Sequence, residues 1–146
     1  MGMVFLMPWD IGVSMEIKRY SETDEQKLFD LIREEGKDWE CYSAEDAMGK
    51  YKRALANSIT YVAYEGDVLC GYVRCRDDDG FGVYVYDLLV KRALRGRSIG
   101  RKLMERVSMD YPEDTVYVLS GVDEYYEKLG YFREGSIYIV RIKEES

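Results

Sequence analysis

The residues best suited to chemistry lie between positions 91 and 106, in the run KRALRGRSIGRKLMER. This segment holds seven Lys or Arg side chains and a single acid, Glu105, for a local charge of +6. The whole chain carries −7, so the remainder sums to −13. Gly96 and Gly100 allow a ligand close to the backbone, and free N–H groups at a helix start bind anions. The segment predicts a site for a phosphate-bearing ligand.

Other uses of this segment stay open from the residues alone. A basic helix face is often only solvated, and a basic stretch also serves modules that bind nucleic acid. Nucleic acid is the poorer fit, because the acidic remainder of the surface would repel it. The segment contains neither the GxxxxGK[ST] phosphate loop nor the GxGxxG dinucleotide fingerprint.

The chain has 146 residues and no histidine. Ser-His-Asp triads, Cys-His pairs and HExxH metal sites are therefore excluded, and proton transfer must use Tyr, Asp, Glu, Lys, Cys or water. The three cysteines, Cys41, Cys70 and Cys75, lack paired CxxC spacing. We expect reduced thiols in the core of a cytoplasmic protein, with no metal site.

The elements that must position the basic segment follow from hydrophobic periodicity. Strands are predicted at 15–20, 59–64, 68–75, 81–90, 115–119 and 136–142. Helices are predicted from about 24 to Gly36 and at 44–55, 99–110 and 123–129. The order βααβββαβαβ indicates a mixed α+β fold with a mostly antiparallel central sheet and helices on both faces.

The length accommodates one domain, which we assign to 15–146, preceded by an N-terminal extension at 1–14. The extension begins MGMVFLMPW, which lacks the basic start of a secretory signal and is too short to span a bilayer. We therefore expect a cytoplasmic protein with neither a membrane nor a nucleic acid as its partner. A homodimer stays open, since an apolar extension could add an interface.

Two motifs resemble those of the GNAT superfamily of N-acetyltransferases. Leu88-Leu89-Val90 followed by Arg95-Gly96-Arg97-Ser98-Ile99-Gly100 is similar to its acetyl-CoA signature, [Q/R]-x-x-G-x-[G/A] after the fourth strand. Ser98 stands where the first glycine is usual. Residues 125–131, YYEKLGY, resemble the family element FYEKLGF. The element order from Met15 to Ile142 extends the resemblance over nearly the whole chain.

The resemblance implies acetyl-CoA as co-substrate, no metal, and direct transfer of the acetyl group to an amine. Backbone groups of a bulged fourth strand would hold the pantetheine arm, and amides of 97–101 would hold the pyrophosphate. The implied cofactor-binding residues are Leu88, Leu89, Val90, Arg95, Gly96, Arg97, Ser98, Ile99, Gly100 and Arg101.

Two catalytic residues are predicted. Tyr126 in the second motif would protonate the departing thiolate, because a phenol pKa of about 10 lies near that of an alkyl thiol. The family often has a Glu on the fourth strand as base, and the aligned position here is Tyr84. Asp87 is the one carboxylate in the apolar run 81–90, so it is the candidate base; a hydrogen-bonding role at a bulge is the alternative.

The acceptor is predicted to be a small cationic amine such as a polyamine or an amino sugar, because the chain outside the basic segment is strongly acidic. Trp39 and Tyr42 would bind it through cation–π contacts, with Tyr51 as a further member of an aromatic wall. These aromatic residues could also be plain core, since Tyr51 has the helical spacing of a buried position. Glu40 and Glu45 could attract it or be ordinary surface charges. The alternatives are acetylation of a protein amine and a GNAT-fold protein that binds acyl-CoA without efficient turnover.

Overall fold

The computed structural model describes residues 15–143 as a single sheet with helices on both faces. The strands are β1 (Met15–Arg19), β2 (Ile59–Glu65), β3 (Val68–Asp77), β4 (Val83–Val90) and β5 (Val116–Val118). The helices are α1 (Glu25–Glu35), α2 (Glu40–Ser43), α3 (Glu45–Ala56), α4 (Ile99–Asp110) and α5 (Asp123–Lys128). This architecture confirms the predicted mixed α+β fold; the predicted extension at 1–14 lies outside the described residues.

The sheet has the strand order β1-β2-β3-β4-β5. The first three pairings are antiparallel, and β4 pairs with β5 in parallel. Buried side chains from α1 and α3 pack on one face, while α4 packs on the other. Alternate residues of β2 supply each core, as the two-residue period of a strand requires. Strand β3 also serves both cores, but its alternation shifts at Cys70, which has no opposite residue in β2. Both faces of the central strands are thus covered.

Strand β4 carries a bulge near its middle. Arg74 of β3 pairs with Asp87, whereas the next residue, Cys75, pairs with Val85. Tyr86 is therefore the additional residue in β4, and a bulge of this kind bends its strand. The bulge lies two residues before Leu88, earlier than the family resemblance implied.

The pairing of β4 with β5 is short. It begins at Val83 with Val116 and ends at Val85 with Val118, after which one further bond joins the Leu119 amide to the Val85 carbonyl (3.0 Å). Strand β4 nevertheless continues to Val90. The two strands consequently form a fork that opens toward the start of α4.

The predicted closing strand at 136–142 is wrong for this structure. Residues 131–143 have no regular secondary structure and pair with no strand of the described sheet. Ile137, Tyr138 and Val140 are largely exposed. The apolar and β-branched composition of the segment favours a strand, but a strand forms only where a neighbouring backbone completes its hydrogen bonds. The five-stranded sheet ends at β5 instead.

The cysteines are free thiols, and they divide by position. Cys70 and Cys75 are buried in the sheet as expected, and burial raises the pKa of the Cys75 thiol to about 11. Cys41 is exposed, contrary to the prediction of a core residue, because it lies in the four-residue helix α2 at the surface. Within residues 15–143, no group of three or more His, Cys, Asp or Glu could hold a metal ion, and no helix could cross a membrane.

Candidate active site

The open end of the fork presents backbone groups of β4. The Lys91 amide donates to the Cys70 carbonyl of β3 (2.7 Å), so the alternation of the strand directs the backbone groups of Leu88 and Val90 away from β3. Strand β5 has already ended at that level. The backbone groups of Leu88 and the amide of Val90 therefore face the fork, where an extended ligand could complete the missing hydrogen bonds; the Val90 carbonyl already accepts from Arg95.

The loop 91–98 turns the chain from β4 into α4 through two left-handed residues. Gly96 has φ +86° and Ser98 has φ +64°. Ser98 thus occupies a conformation that favours glycine, which explains why the family pattern has glycine there. The Ser98 side chain makes no capping bond to the helix. The amides at the start of α4 remain free to bind an anion.

The end of β4, the loop 91–98 and the start of α4 together form a cradle, and Gly100 is its most crowded point. A Cβ atom at this position would collide with the Tyr125 hydroxyl group and would lie 3.6 Å from Cγ2 of Val90. The start of α4, the end of β4 and helix α5 therefore meet at one glycine. Sequence reasoning included Gly100 and Val90 but missed Tyr125, which immediately precedes the predicted acid.

The basic side chains of the cradle do not all face a ligand. The Arg95 guanidinium pairs with Glu35 at the end of α1 (2.7 Å) and also donates from Nε to the Val90 carbonyl (3.1 Å). Arg101 lies 3.5 Å from Glu105 at an exposed position. Arg97 and Lys102 form no ion pair within residues 15–143. The cations available to an anion are thus those of α4 and Arg97, not Arg95.

Tyr126 lines a cleft of about 820 Å³ between β5, α4, α5 and the segment that follows α5. Its side chain is 9% exposed and stacks with Tyr131 at 6.2 Å between ring centroids. Burial, with smaller contributions from Tyr125 and Tyr131, raises the pKa of Tyr126 to about 12. The phenol is consequently protonated at neutral pH and able to donate, although it is a weaker acid than the sequence suggested.

Asp87 lies on the opposite face, at the bulge, and is 4% exposed. Its carboxylate accepts hydrogen bonds from Tyr42 (2.8 Å) and Tyr51 (2.7 Å) and pairs with Nε of Arg74 (2.5 Å). Burial and then the Asp87 charge raise the pKa of both tyrosines, which therefore remain donors. One cation and two phenols thus occupy the oxygens of this carboxylate.

Trp39 and Tyr42 pack as a lid on this buried network. Tyr42 stacks on Tyr51 with 4.2 Å between centroids, and Trp39 contacts both Tyr42 (5.7 Å) and Tyr72 (6.3 Å). Both are partly buried against the core that α1 and α3 cover. The structure thus brings the predicted binding residue Tyr42 to the predicted base Asp87. Neither Trp39 nor Tyr42 is among the described residues that line the Tyr126 cleft.

Arg74 is the member of this network that sequence reasoning did not assign to the site. A signal for Arg74 exists, because it is a charge within the otherwise apolar strand VLCGYVRC, as Asp87 is in the next strand. Opposite charges in two neighbouring buried strands indicate a pair, since an isolated buried charge is costly. For Tyr51 the sequence left open an aromatic wall or plain core, and the structure places it in the core with its hydroxyl group on Asp87.

Comparisons with known proteins agree with this geometry. The family described as acetyltransferase (GNAT) domain matches residues 56–132, which is more than half of the chain. A search of curated protein sequences finds no match. Many solved structures share the fold.

Three of these structures are the following. A GNAT family acetyltransferase from Streptococcus pneumoniae TIGR4 is 23% identical with a TM-score of 0.67, covering 88% of this chain and 100% of that one. An aminoglycoside acetyltransferase from an uncultured soil metagenomic sample is 22% identical with a TM-score of 0.68, covering 89% and 99%. PaiA N-acetyltransferase from Thermoplasma acidophilum, in complex with coenzyme A, is 16% identical with a TM-score of 0.61, covering 79% and 88%. At these identities the likeness shows the fold.

Replacing Ser98 with glycine is expected to stabilise the protein. Glycine relieves the left-handed strain but gains entropy in the unfolded chain, so Ser98→Gly should raise the free energy of unfolding by about 0.5–1 kcal/mol. Urea denaturation measures this change. Ser108→Gly, the same substitution inside α4 where φ is right-handed, should lower stability. Equal losses in both variants would contradict the strain at Ser98.

Removing the charge of Asp87 is expected to cost far more than removing an exposed one. Asp87→Asn leaves the guanidinium of Arg74 buried without its carboxylate, and loss of one partner of a buried pair costs about 3–5 kcal/mol. Asp30→Asn, which removes the exposed partner of Arg33, should change stability by less than about 1 kcal/mol. Chemical denaturation of both variants provides the measurement; similar losses would contradict a buried network centred on Asp87.

Proposed function

The chain belongs to the acetyltransferase (GNAT) family, and on that premise we propose that it transfers the acetyl group of acetyl-CoA directly to a primary amine of a small cationic molecule. One observation carries the proposal. The end of β4, unpaired on its β5 side, leads through the loop 91–98 to a helix start whose free amides suit an anion, and the buried Tyr126 lines the cleft beside the same fork. An extended thiol ester with a pyrophosphate at its far end matches that arrangement.

The residues present fit coenzyme A. Leu88 and Val90 would bond the amide-bearing arm of the cofactor as a neighbouring strand would, and the α4 amides from 97 to 101 would bind the pyrophosphate. Gly100 has no side chain to fill the cradle, and Arg97 and Arg101 supply positive charge. Arg95, which the family motif includes, would act through the loop rather than on the cofactor. A related fold, PaiA N-acetyltransferase, is known in complex with coenzyme A.

The departing thiolate needs a proton, and Tyr126 is the proposed donor. Direct transfer forms the C–N bond of the amide and breaks the C–S bond of the thioester, so the sulfur leaves as a thiolate. A phenol with a pKa of about 12 is fully protonated at neutral pH, which keeps the donor loaded. Its proton would pass to the sulfur, and solvent would restore it.

The amine must lose a proton before or during attack. Asp87 was predicted as the base, and that role stays a prediction. Its three hydrogen-bonding partners favour a positioning role instead, in which the carboxylate fixes Arg74, Tyr51 and the lid residue Tyr42. We propose that water in the open cleft accepts the amine proton, since no carboxylate stands at Tyr84.

A cationic acceptor fits the charges near the Tyr126 cleft. Its acidic lining residues are Glu105, Asp123, Glu127 and Glu134, against two arginines, Arg101 and Arg133. Tyr84 and Tyr117 stack in the same cleft with 5.1 Å between centroids and offer aromatic faces to an ammonium group. One related fold is an aminoglycoside acetyltransferase, which makes an amino sugar a reasonable first candidate beside polyamines.

The second candidate is an acyl-CoA-binding protein without efficient turnover. The tyrosine at position 84 and the engagement of Asp87 by three donors both favour it, because no unpaired carboxylate is left on β4 to serve as base. A protein amine as acceptor, a homodimer and a cytoplasmic location stay predictions.

The deciding experiment separates cofactor binding from turnover. Thermal unfolding is followed with acetyl-CoA and with a plain polyanion of similar charge. Acetyl-CoA at about 100 times its Kd should stabilise the fold by about 2.7 kcal/mol, and the polyanion should not. Release of free thiol is then measured with polyamines, amino sugars and peptide N-termini. Equal shifts with both ligands would overturn the proposal, and binding without thiol release would favour the second candidate.

Tyr126→Phe is expected to lower kcat while leaving the Kd for coenzyme A nearly unchanged. Loss of a general acid slows the chemical step about 100-fold or more, whereas the phenylalanine ring preserves the packing against Tyr131. Release of free thiol under saturating substrates measures kcat, and isothermal calorimetry measures the Kd for coenzyme A. Tyr111→Phe, which removes a phenol at the end of α4, serves as the control and should keep the wild-type rate. An unchanged kcat in Tyr126→Phe would remove this residue from the mechanism.

A further inference from the structure

The end of α1 contacts the cofactor loop through its last two residues. Glu34 pairs with Lys91 (2.8 Å), and Glu35 pairs with Arg95 (2.7 Å) and Arg92 (3.4 Å). These contacts join positions about 57–60 residues apart in sequence. The helix that covers one face of the sheet is thereby attached to the loop that starts α4.

The two acids differ in burial. The side chain of Glu35 is 12% exposed, whereas that of Glu34 is 45% exposed. An exposed pair contributes little because water and salt screen it, whereas a nearly buried carboxylate depends on its partners. Burial alone would raise the pKa of Glu35, but hydrogen bonds from Arg95 and Arg92 outweigh it and lower that pKa. Glu35 is therefore an anion at neutral pH.

Arg95 connects three elements at once. Its terminal nitrogen binds Glu35 of α1, its Nε donates to the Val90 carbonyl at the end of β4, and Gly96 follows it directly. The loop after it contains the left-handed residues Gly96 and Ser98. Because the Arg95 guanidinium is bonded both to Glu35 and to the Val90 carbonyl, it fixes the direction in which the chain enters this strained turn.

We propose that Glu35 is the positioning residue of the cofactor loop: through Arg95 it holds residues 91–98 in the conformation that presents the α4 amides to the pyrophosphate. The inference rests on the proposed function for the identity of the ligand. It assigns Arg95 to holding the loop rather than to touching the cofactor. Glu35 itself touches neither cofactor nor acceptor.

The binding test is a double-mutant cycle with coenzyme A as the probe. Glu35→Gln and Arg95→Gln are each expected to raise the Kd about 5–10-fold, and the double variant should be no weaker than either single one, because both remove the same contact. Glu34→Gln is the matched control and should leave the Kd within about twofold of wild type. Isothermal calorimetry gives the Kd values.

The competing arrangement predicts a different pattern. If Arg95 binds the pyrophosphate directly and Glu35 only competes for it, Glu35→Gln leaves the Kd unchanged or lowers it while Arg95→Gln raises it. That pattern, or additive losses in the double variant, would overturn the proposal. The KM for the acceptor amine should stay at the wild-type value in Glu35→Gln, since the defect lies in the cofactor loop.

Hydrogen exchange in the ligand-free protein tests, without any cofactor, whether Glu35 holds the loop 91–98 through Arg95. The amides of Leu94 and Arg95 are bonded within the loop, and the Lys102 amide bonds Ser98 at the start of α4. These amides should exchange faster in Glu35→Gln than in wild type and unchanged in Glu34→Gln. Unchanged exchange in Glu35→Gln overturns the positioning role of Glu35. A wild-type protein that fails to bind coenzyme A overturns the proposed function instead, and the exchange rates still decide whether Glu35 holds the loop.

Discussion

The early end of the β4–β5 pairing is the constraint on which the site depends. Parallel strands normally satisfy each other's backbone along their length, yet here only three residue pairs do so before the strands part. Beyond Val85, the backbone groups of β4 that point away from β3 face an opening instead of a neighbouring strand. Since unpaired backbone groups are costly when buried, this part of β4 must stay open to water or to a ligand. The helix start, the basic loop and Tyr126 all lie around that opening.

Two opposite charge arrangements lie along β4, one at its bulge and one just beyond its end. On the α1 and α3 face, Asp87 is enclosed by Arg74 and two tyrosines, so its negative charge is locally balanced. On the loop side, α1 carboxylates balance part of a basic segment, and Arg97 remains unpaired within the described chain. The positive charge left for an anionic ligand is therefore concentrated at the start of α4. An acidic protein can in this way attract a phosphate ligand at one place and a cation elsewhere.

The sequence predicted what depends on local pattern. Helical spacing and strand alternation located α1, α3, α4 and the first four strands, and a six-residue motif located the cradle, because its conformation is set by neighbours in the chain. The Asp87 network was not predictable in the same way. Its bonds to Tyr42, Tyr51 and Arg74 span 45, 36 and 13 residues, and the partner of each group is decided by packing. The prediction of a strand at 136–142 is wrong for a related reason: composition indicates a preference for strand but does not supply a neighbouring strand to pair with.

The separation of the two titratable groups limits how the reaction can be run. Tyr126 is made a weaker acid by burial and by the neighbouring phenols of Tyr125 and Tyr131. Asp87 is enclosed by Arg74, Tyr42 and Tyr51, so its carboxylate oxygens are already engaged by three partners. Tyr126 therefore keeps its proton at neutral pH, whereas Asp87 is occupied in holding its neighbours. Acyl transfer in such a site must come mainly from holding the thioester beside its acceptor, since correct placement alone lowers a bimolecular barrier substantially. The rigidity of β4, its bulge and its loop is then the principal contribution of the fold to the chemistry.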